Sequence, residues 1–172
     1  MVADGSGGVF IAWMDSRAGN QDVHAQHLRS DGSRFPGWPS EGLAVCALPT
    51  WEYEPLLAPD GNGGAFVVWY DRRSGDYDLY AHHLLADGAL DPGWPANGLA
   101  VCTAPADQSS HSLIADGSGG FLLGWEDRRD GGRDIYAHHV LASGEVDAAW
   151  PANGRAVCVL GSTKQECALV SD

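Results

Sequence analysis

Positive charge is what this chain has least of. Its 172 residues carry 10 Lys and Arg against 23 Asp and Glu, a formal net charge of −13. A phosphate backbone is held by a basic stripe that displaces counterions, so this balance argues against nucleic acid and against an anionic membrane surface. Long apolar runs are lacking as well; none approaches the roughly 20 residues of a membrane span. Met1-Val2-Ala3-Asp4 has neither the basic region nor the apolar core of a signal peptide. Helical periodicity is absent throughout, which points to strands joined by turns. No Ser or Cys nucleophile motif, zinc spacing or phosphate-cradling loop is present, so no catalytic residue, metal or cofactor is expected. Adjacent His82-His83 and His138-His139, and His24 with His27, point to opposite faces of a strand and cannot chelate one ion.

Glycine is plentiful, with 23 residues, and so is tryptophan, with seven. Both are distributed by a repeat. Asp4, Asp60 and Asp116 each open an Asp-Gly-x-Gly-Gly turn, 56 residues apart, and Trp13, Trp69 and Trp125 follow at one offset. A period of this kind identifies the architecture before any single residue does. The chain enters in mid-motif and ends at Asp172, where a fourth copy would begin, so a segment of a longer protein is expected. The repeats are read as 4–59, 60–115 and 116–171 within one domain.

Each repeat predicts four strands. In the middle one, Leu56–Pro59 precedes the turn and Ala65–Trp69 follows it. Leu79–Leu85 and Leu99–Cys102 complete the set. Ala65–Trp69 is apolar on both faces, as befits a strand packed between layers. Cys46, Cys102 and Cys158 occupy one repeat position and read as small buried residues. Cys167 breaks the pattern and is a candidate disulfide partner for Cys158. The fold class expected is all-β: a β-propeller of three 56-residue, four-stranded blades. The alternative is a closed three-fold β-trefoil or β-prism.

The motif order Pro59-Asp60-Gly61, then Asp71-Arg72-Arg73-x-Gly75-x-x-Asp78-Leu79-Tyr80, then Ala86-Asp87-Gly88 resembles the TolB-type β-propeller repeat. Asp134-Ile135-Tyr136 matches its third element directly. The loop holding Trp94 is an insertion relative to that pattern. The resemblance implies a six-bladed ring in a periplasmic or secreted bacterial protein, used as a binding platform. Three blades would leave two apolar faces open, so a homodimer or further repeats are expected to complete the ring.

Function is therefore expected to be non-catalytic binding of a protein or a glycan. The alternatives are a lectin and a glycosidase-like hydrolase using Glu52, Glu54 and Glu126. Residues that differ between repeats mark the candidate site, because sites are grafted onto folds through loops. One face of the ring carries Trp51-Glu52-Tyr53-Glu54 in one repeat, Gln108-Ser109-Ser110-His111 in the next and Lys164-Gln165-Glu166 in the last. Arg72, Tyr77, Arg128 and Arg133 fall on the same side of a propeller. Trp38, Trp94 and Trp150 sit in Gly/Pro loops, where each either stacks on a sugar ring or plugs a blade edge. The Asp/Arg pairs (Asp15 with Arg17, Asp71 with Arg73, Asp127 with Arg129) recur three times and read as turn caps rather than catalytic groups. Trp13, Trp69 and Trp125 read as core. His27, His83 and His139 read as hydrogen-bonded packing between layers.

Overall fold

A computed structural model describes residues 1–159 and 168–170. Lys164-Gln165-Glu166 and the proposed Cys158–Cys167 bond lie outside the described residues. Twelve strands are present and, among the described residues, no helix. The first sheet holds β1 (Val2–Ala3), β2 (Val9–Asp15), β3 (Asp22–Leu28) and β4 (Leu43–Cys46). The second holds β5 (Glu52–Pro59), β6 (Ala65–Asp71), β7 (Asp78–Leu84) and β8 (Leu99–Cys102). The third holds β9 (Gln108–Ala115), β10 (Phe121–Asp127), β11 (Asp134–Val140) and β12 (Arg155–Cys158). Each is a separate antiparallel meander with its strands in sequence order, and none closes on itself.

Local chemistry explains the meanders. Gly61 and Gly63 adopt φ of 79° and 89°, conformations that any side chain would strain. Asp60 ties the turn by accepting from the backbone N–H of Asn62 and Gly64 at 2.7 and 2.8 Å. The register Asp71↔Asp78 closes β6 onto β7, and Asp15↔Asp22 and Asp127↔Asp134 repeat it. Asp71 then accepts from Trp69 Nε1 at 3.1 Å, from Arg73 N at 2.9 Å and from Arg73 Nε at 2.8 Å. The Arg73 guanidinium lies 3.7 Å from the centroid of Tyr80. The Asp/Arg pairs are thus the turn caps expected of them. Trp69 itself lies on Gly98, where an added Cβ would stand 2.5 Å from the indole.

Packing runs sheet on sheet, with the middle sheet covered on both sides and every residue of β6 buried. Ala65, Val67 and Trp69 pack with Phe10, Val23 and Val45 of the first sheet. Phe66, Val68 and Leu79 pack with Phe121, Leu123 and Trp125 of the third. These are two hydrophobic clusters on opposite faces of one sheet. Both depend on apolar area removed from water, on the order of 2 kcal/mol per large side chain.

Equivalent residues at the two ends of the stack fare differently. Trp69 and Trp125 are fully buried, but Trp13 is only partly covered, which corrects the expectation that all three are core. Among the described residues, no further sheet packs on that outer face of the first sheet. Cys158 is likewise half-buried where Cys46 and Cys102 are buried, since no described sheet lies beyond the third. All three thiols are free, and burial pushes those of Cys46 and Cys102 up to about 12. No helix among the described residues is long and apolar enough to cross a membrane.

Candidate functional site

The repeats share a skeleton and diverge markedly where β5 and β9 begin. β5 and β9 each carry a bulge at the same point, between Tyr53 and Leu56 and opposite Gly124 and Glu126. The bulged residues Glu54 and Ser110 sit at φ 49° and 50°, the left-handed region that side chains seldom occupy. Both line a cleft of about 330 Å³ between the second and third sheets, together with Tyr53, Tyr70, Tyr77, Gln108 and Ser109. Strained backbone at a cleft is a common mark of a functional surface.

Aromatic packing shapes the cleft. Tyr53 and Tyr77 meet edge to face at 5.6 Å between centroids, and Tyr70 meets Tyr77 in the same way at 6.0 Å. Trp51, 47% exposed, stacks on Tyr53. Arg72 places its guanidinium 4.9 Å from the centroid of Tyr77 and donates to Gly75 O at 2.9 Å. The Tyr70 hydroxyl accepts from His111 N at 2.8 Å, with the imidazole edge-on to its ring. Burial raises the Tyr53 and Tyr70 phenols above their ordinary range, and it drives His111 down to about 4. At neutral pH the tyrosines and His111 are therefore all uncharged. Gln108 Nε2 donates to Ala104 O and Ala106 O, while Gln108 Oε1 and Ser109 Oγ are buried without a protein partner.

Of the residues singled out by sequence, Tyr53, Glu54 and Tyr77 line the cleft, and Trp51 and Arg72 pack against its walls. Arg128 is not among the lining residues; its backbone N–H donates to Asp107 O at 3.2 Å. Glu52 does not reach the cleft, a correction to its reading as a ligand residue. It is fully buried between the first and second sheets, where burial and the neighbouring Asp71 and Asp22 carboxylates raise it to about 7. Cys46, Glu52 and Asp71 bring one potential ligand atom each within 4.8 Å of one another. Arg73 already supplies the cation there, its Nη2 lying 3.7 Å from Cys46 Sγ while its Nε holds Asp71.

The loop tryptophans are a second correction. Trp38 and Trp94 are each 5% exposed, so neither offers a face to a sugar. Trp38 donates to Ala86 O of the next repeat at 3.3 Å, and Trp94 covers Gly144 so closely that an added Cβ would stand 2.6 Å from its Nε1. These are plugs between sheets. Trp150, on the third sheet, is half-buried and stacks on His138. Glu126 is buried and pairs with Arg133 at 3.4 Å.

Sequence reading missed the partners of the histidines. His83 bridges Asp60 and Asp91, at 2.9 Å from each, and His139 bridges Asp116 and Asp147 at the same distance. His27 has Asp4 on Nε2 at 2.9 Å, but Phe35 replaces the second carboxylate and stacks on the ring at 4.3 Å. The signal available was the constant 23-residue offset between each turn Asp and its histidine. Tyr70 was missed at the cleft because its strand reads as uniform core. Compared with known proteins, the chain matches no family model, and no curated protein matches it.

Proposed function

We propose that the chain is a β-propeller-type repeat protein that acts as a non-catalytic binding module. Its three sheets would be consecutive blades of the kind the TolB-type resemblance implies. The observation that carries the reading is the contrast between a repeated skeleton and a divergent cleft at Tyr53, Tyr77 and Ser109. Proteins of repeated units place recognition on such a divergent surface. Of a protein or a glycan ligand, a protein segment is favoured, because the loop tryptophans that would have stacked a sugar are plugs. The hydrolase alternative has less support. Of Glu52, Glu54 and Glu126, only Glu54 lines the cleft.

The ring would be completed by a second copy or by further repeats. Partly exposed Val9, Ile11 and Trp13 lie on the outer face of the first sheet, and Leu122, Ile135 and Ala137 on that of the third. Their repeat equivalents face one another at the two internal junctions, so the end faces are complementary by construction. A closed three-fold arrangement is served less well by two clusters on opposite faces of one sheet. By resemblance, the setting would be extracellular or periplasmic.

Sedimentation velocity is expected to give twice the 18.2 kDa chain mass. A stable folded monomer at low concentration would remove the dimeric ring. Screening peptides and oligosaccharides by thermal shift is expected to find a ligand whose effect is lost in Tyr77→Ala. Turnover of a glycoside panel, abolished by Glu54→Ala, would overturn the non-catalytic reading.

A further inference from the structure

The cleft between the second and third sheets has a definite electrostatic character. Three tyrosines line it, and two pairs of them are near-perpendicular, at 66° and 69°. Perpendicular rings around one space present it with ring face as well as ring edge. A phenol face is the negative pole of the ring quadrupole. Glu54, exposed among the lining residues, adds a formal negative charge, and among the described residues no lysine or arginine lines the cleft. His111, behind Tyr70, is held neutral by burial and contributes no opposing charge.

The polar lining has the same bias. Gln108 has committed both donors of its amide to Ala104 O and Ala106 O, leaving the acceptor Oε1 buried and unpaired. Ser109 Oγ beside it is also unpaired. What the cleft lacks is a donor bearing positive charge. The protein supplies such a group at the edge of the site: the Arg72 guanidinium lies over Tyr77. Similar pairs elsewhere, Arg73 on Tyr80 and Arg129 on Tyr136, are closed by a turn carboxylate. Arg72 is exposed and, among the described residues, has no such carboxylate hydrogen bond; it is held by the Gly75 carbonyl.

We propose that this cleft binds an organic cation, an alkylammonium or guanidinium group of the size that ends a lysine or arginine side chain. The proposal rests on the binding-module reading and narrows its ligand class. A volume of about 330 Å³ accommodates a side-chain-sized group and is small for an extended oligosaccharide. Arg72 is then the internal competitor, occupying one face of Tyr77 and repelling the incoming charge.

Calorimetric titration of the full chain with choline, its neutral tert-butyl isostere, capped lysine, capped arginine and capped glutamate tests this, with maltotriose as the sugar probe. The cations are expected to bind saturably, at least about tenfold more tightly than the neutral isostere. Tyr77→Ala should weaken them about fivefold or more, whereas Tyr77→Phe, which keeps the ring face, should stay within about twofold. Glu54→Gln should weaken binding about threefold, an effect that fades in high salt. Arg72→Ala should strengthen it by a similar factor, the opposite of what an anionic ligand would show. Tighter binding of capped lysine or arginine than choline identifies a peptide source; the reverse identifies a free amine, and both support the proposal. Equal binding of the neutral isostere, or weakening by Arg72→Ala, overturns it. Binding of glutamate or maltotriose alone, lost in Tyr77→Ala, overturns the cation and keeps the binding module. No binding by any probe overturns both.

Discussion

The two junctions between sheets are built on one template and finished differently. Each buries a strand-end tryptophan, Trp69 in the first and Trp125 in the second, with its indole N–H on a turn aspartate at 3.1 and 2.8 Å. Each seats a thiol, Cys46 or Cys102, beside the arginine of the next turn. At the inner end they part. The first junction has Met14 where the second has Tyr70, Gln21 where it has Tyr77, and buried Glu52 where it has Gln108. Aromatic walls on the middle sheet, facing small Ser109 and Ser110 on β9, leave space that becomes the cleft. In the first junction the same backbone holds a buried carboxyl group, Glu52, beside the Asp71 and Asp22 carboxylates. A shared skeleton supplies stability; substitutions at three equivalent positions shape the cleft.

Removing the shared part should hurt both junctions alike. Trp69→Ala and Trp125→Ala are each expected to lower unfolding free energy by about 3–5 kcal/mol, measured by urea denaturation. Trp13→Ala tests the ends of the stack. In an isolated three-sheet chain its partial exposure should limit the loss to about 1–2 kcal/mol. If a second copy covers that face, the loss approaches that of Trp69 and the sedimenting mass falls by half.

The next largest effect lies where the junctions differ most, at Glu52 and Gln108. Glu52 is raised to about 7 by burial and by Asp71 and Asp22. The folded chain therefore holds a proton that the unfolded chain releases near 4.5. Stability is intact below that lower value and declines as pH rises towards and through 7. Glu52→Gln, which copies the second junction, should raise stability at pH 8 by up to about 3 kcal/mol and change little at pH 4. Gln108→Glu should transfer the pH dependence to the second junction. Urea midpoints of both variants at the two pH values decide it; a Glu52→Gln gain that is equal at pH 4 and pH 8 would show that the carboxyl is not desolvated.

How much of this was legible in the sequence follows from the range of each interaction. Asp60-Gly61-Asn62-Gly63-Gly64 and Trp69-x-Asp71-x-Arg73 act within a few residues, so the turns, caps and strands could be read directly. The cleft face was legible too, because Tyr53 against Ser109 is a difference between copies that the skeleton does not need. What escaped depends on neighbours that spacing cannot identify. Trp13 matches Trp69 in sequence but has no sheet to cover it. Trp38 finds its acceptor 48 residues away at Ala86. Glu52 is distinguished from Glu54 only by the bulge, which turns one side chain into the junction and leaves the other at the cleft.

Histidine clamps offer a smaller version of the same comparison. His139 lies between Asp116 and Asp147; burial opposes its charged form, but the hydrogen bonds to the two carboxylates prevail and its pKa is raised. A raised histidine stabilises the fold most fully below its unfolded value near 6.5, and that contribution is lost as pH rises through the folded value. His139→Gln should therefore cost roughly 1.5–3 kcal/mol at pH 5.5 and less at pH 8.5. Urea midpoints of this variant at the two pH values check it. An equal loss at both pH values would mean that the Asp116 and Asp147 carboxylates do not favour the charged ring.

The smallest effect concerns the bulges that line the cleft. Glu54 and Ser110 hold left-handed backbone, which costs an L-residue about 1 kcal/mol relative to glycine. Glycine recovers that strain but gives the unfolded chain more freedom, worth roughly 0.5–1 kcal/mol in the opposite direction. Glu54→Gly and Ser110→Gly should therefore leave the urea midpoint almost unchanged, within about 0.5 kcal/mol. Leu57→Gly, three residues further along β5 in extended backbone, has no strain to recover and loses a packed side chain, so it should cost about 2 kcal/mol or more. A loss of more than about 1 kcal/mol for Glu54→Gly would mean that the Glu54 side chain stabilises the cleft wall itself. Near-neutrality would instead mean that the bulge is set by the register of β5 on β6, leaving residue 54 free to serve whatever the cleft binds.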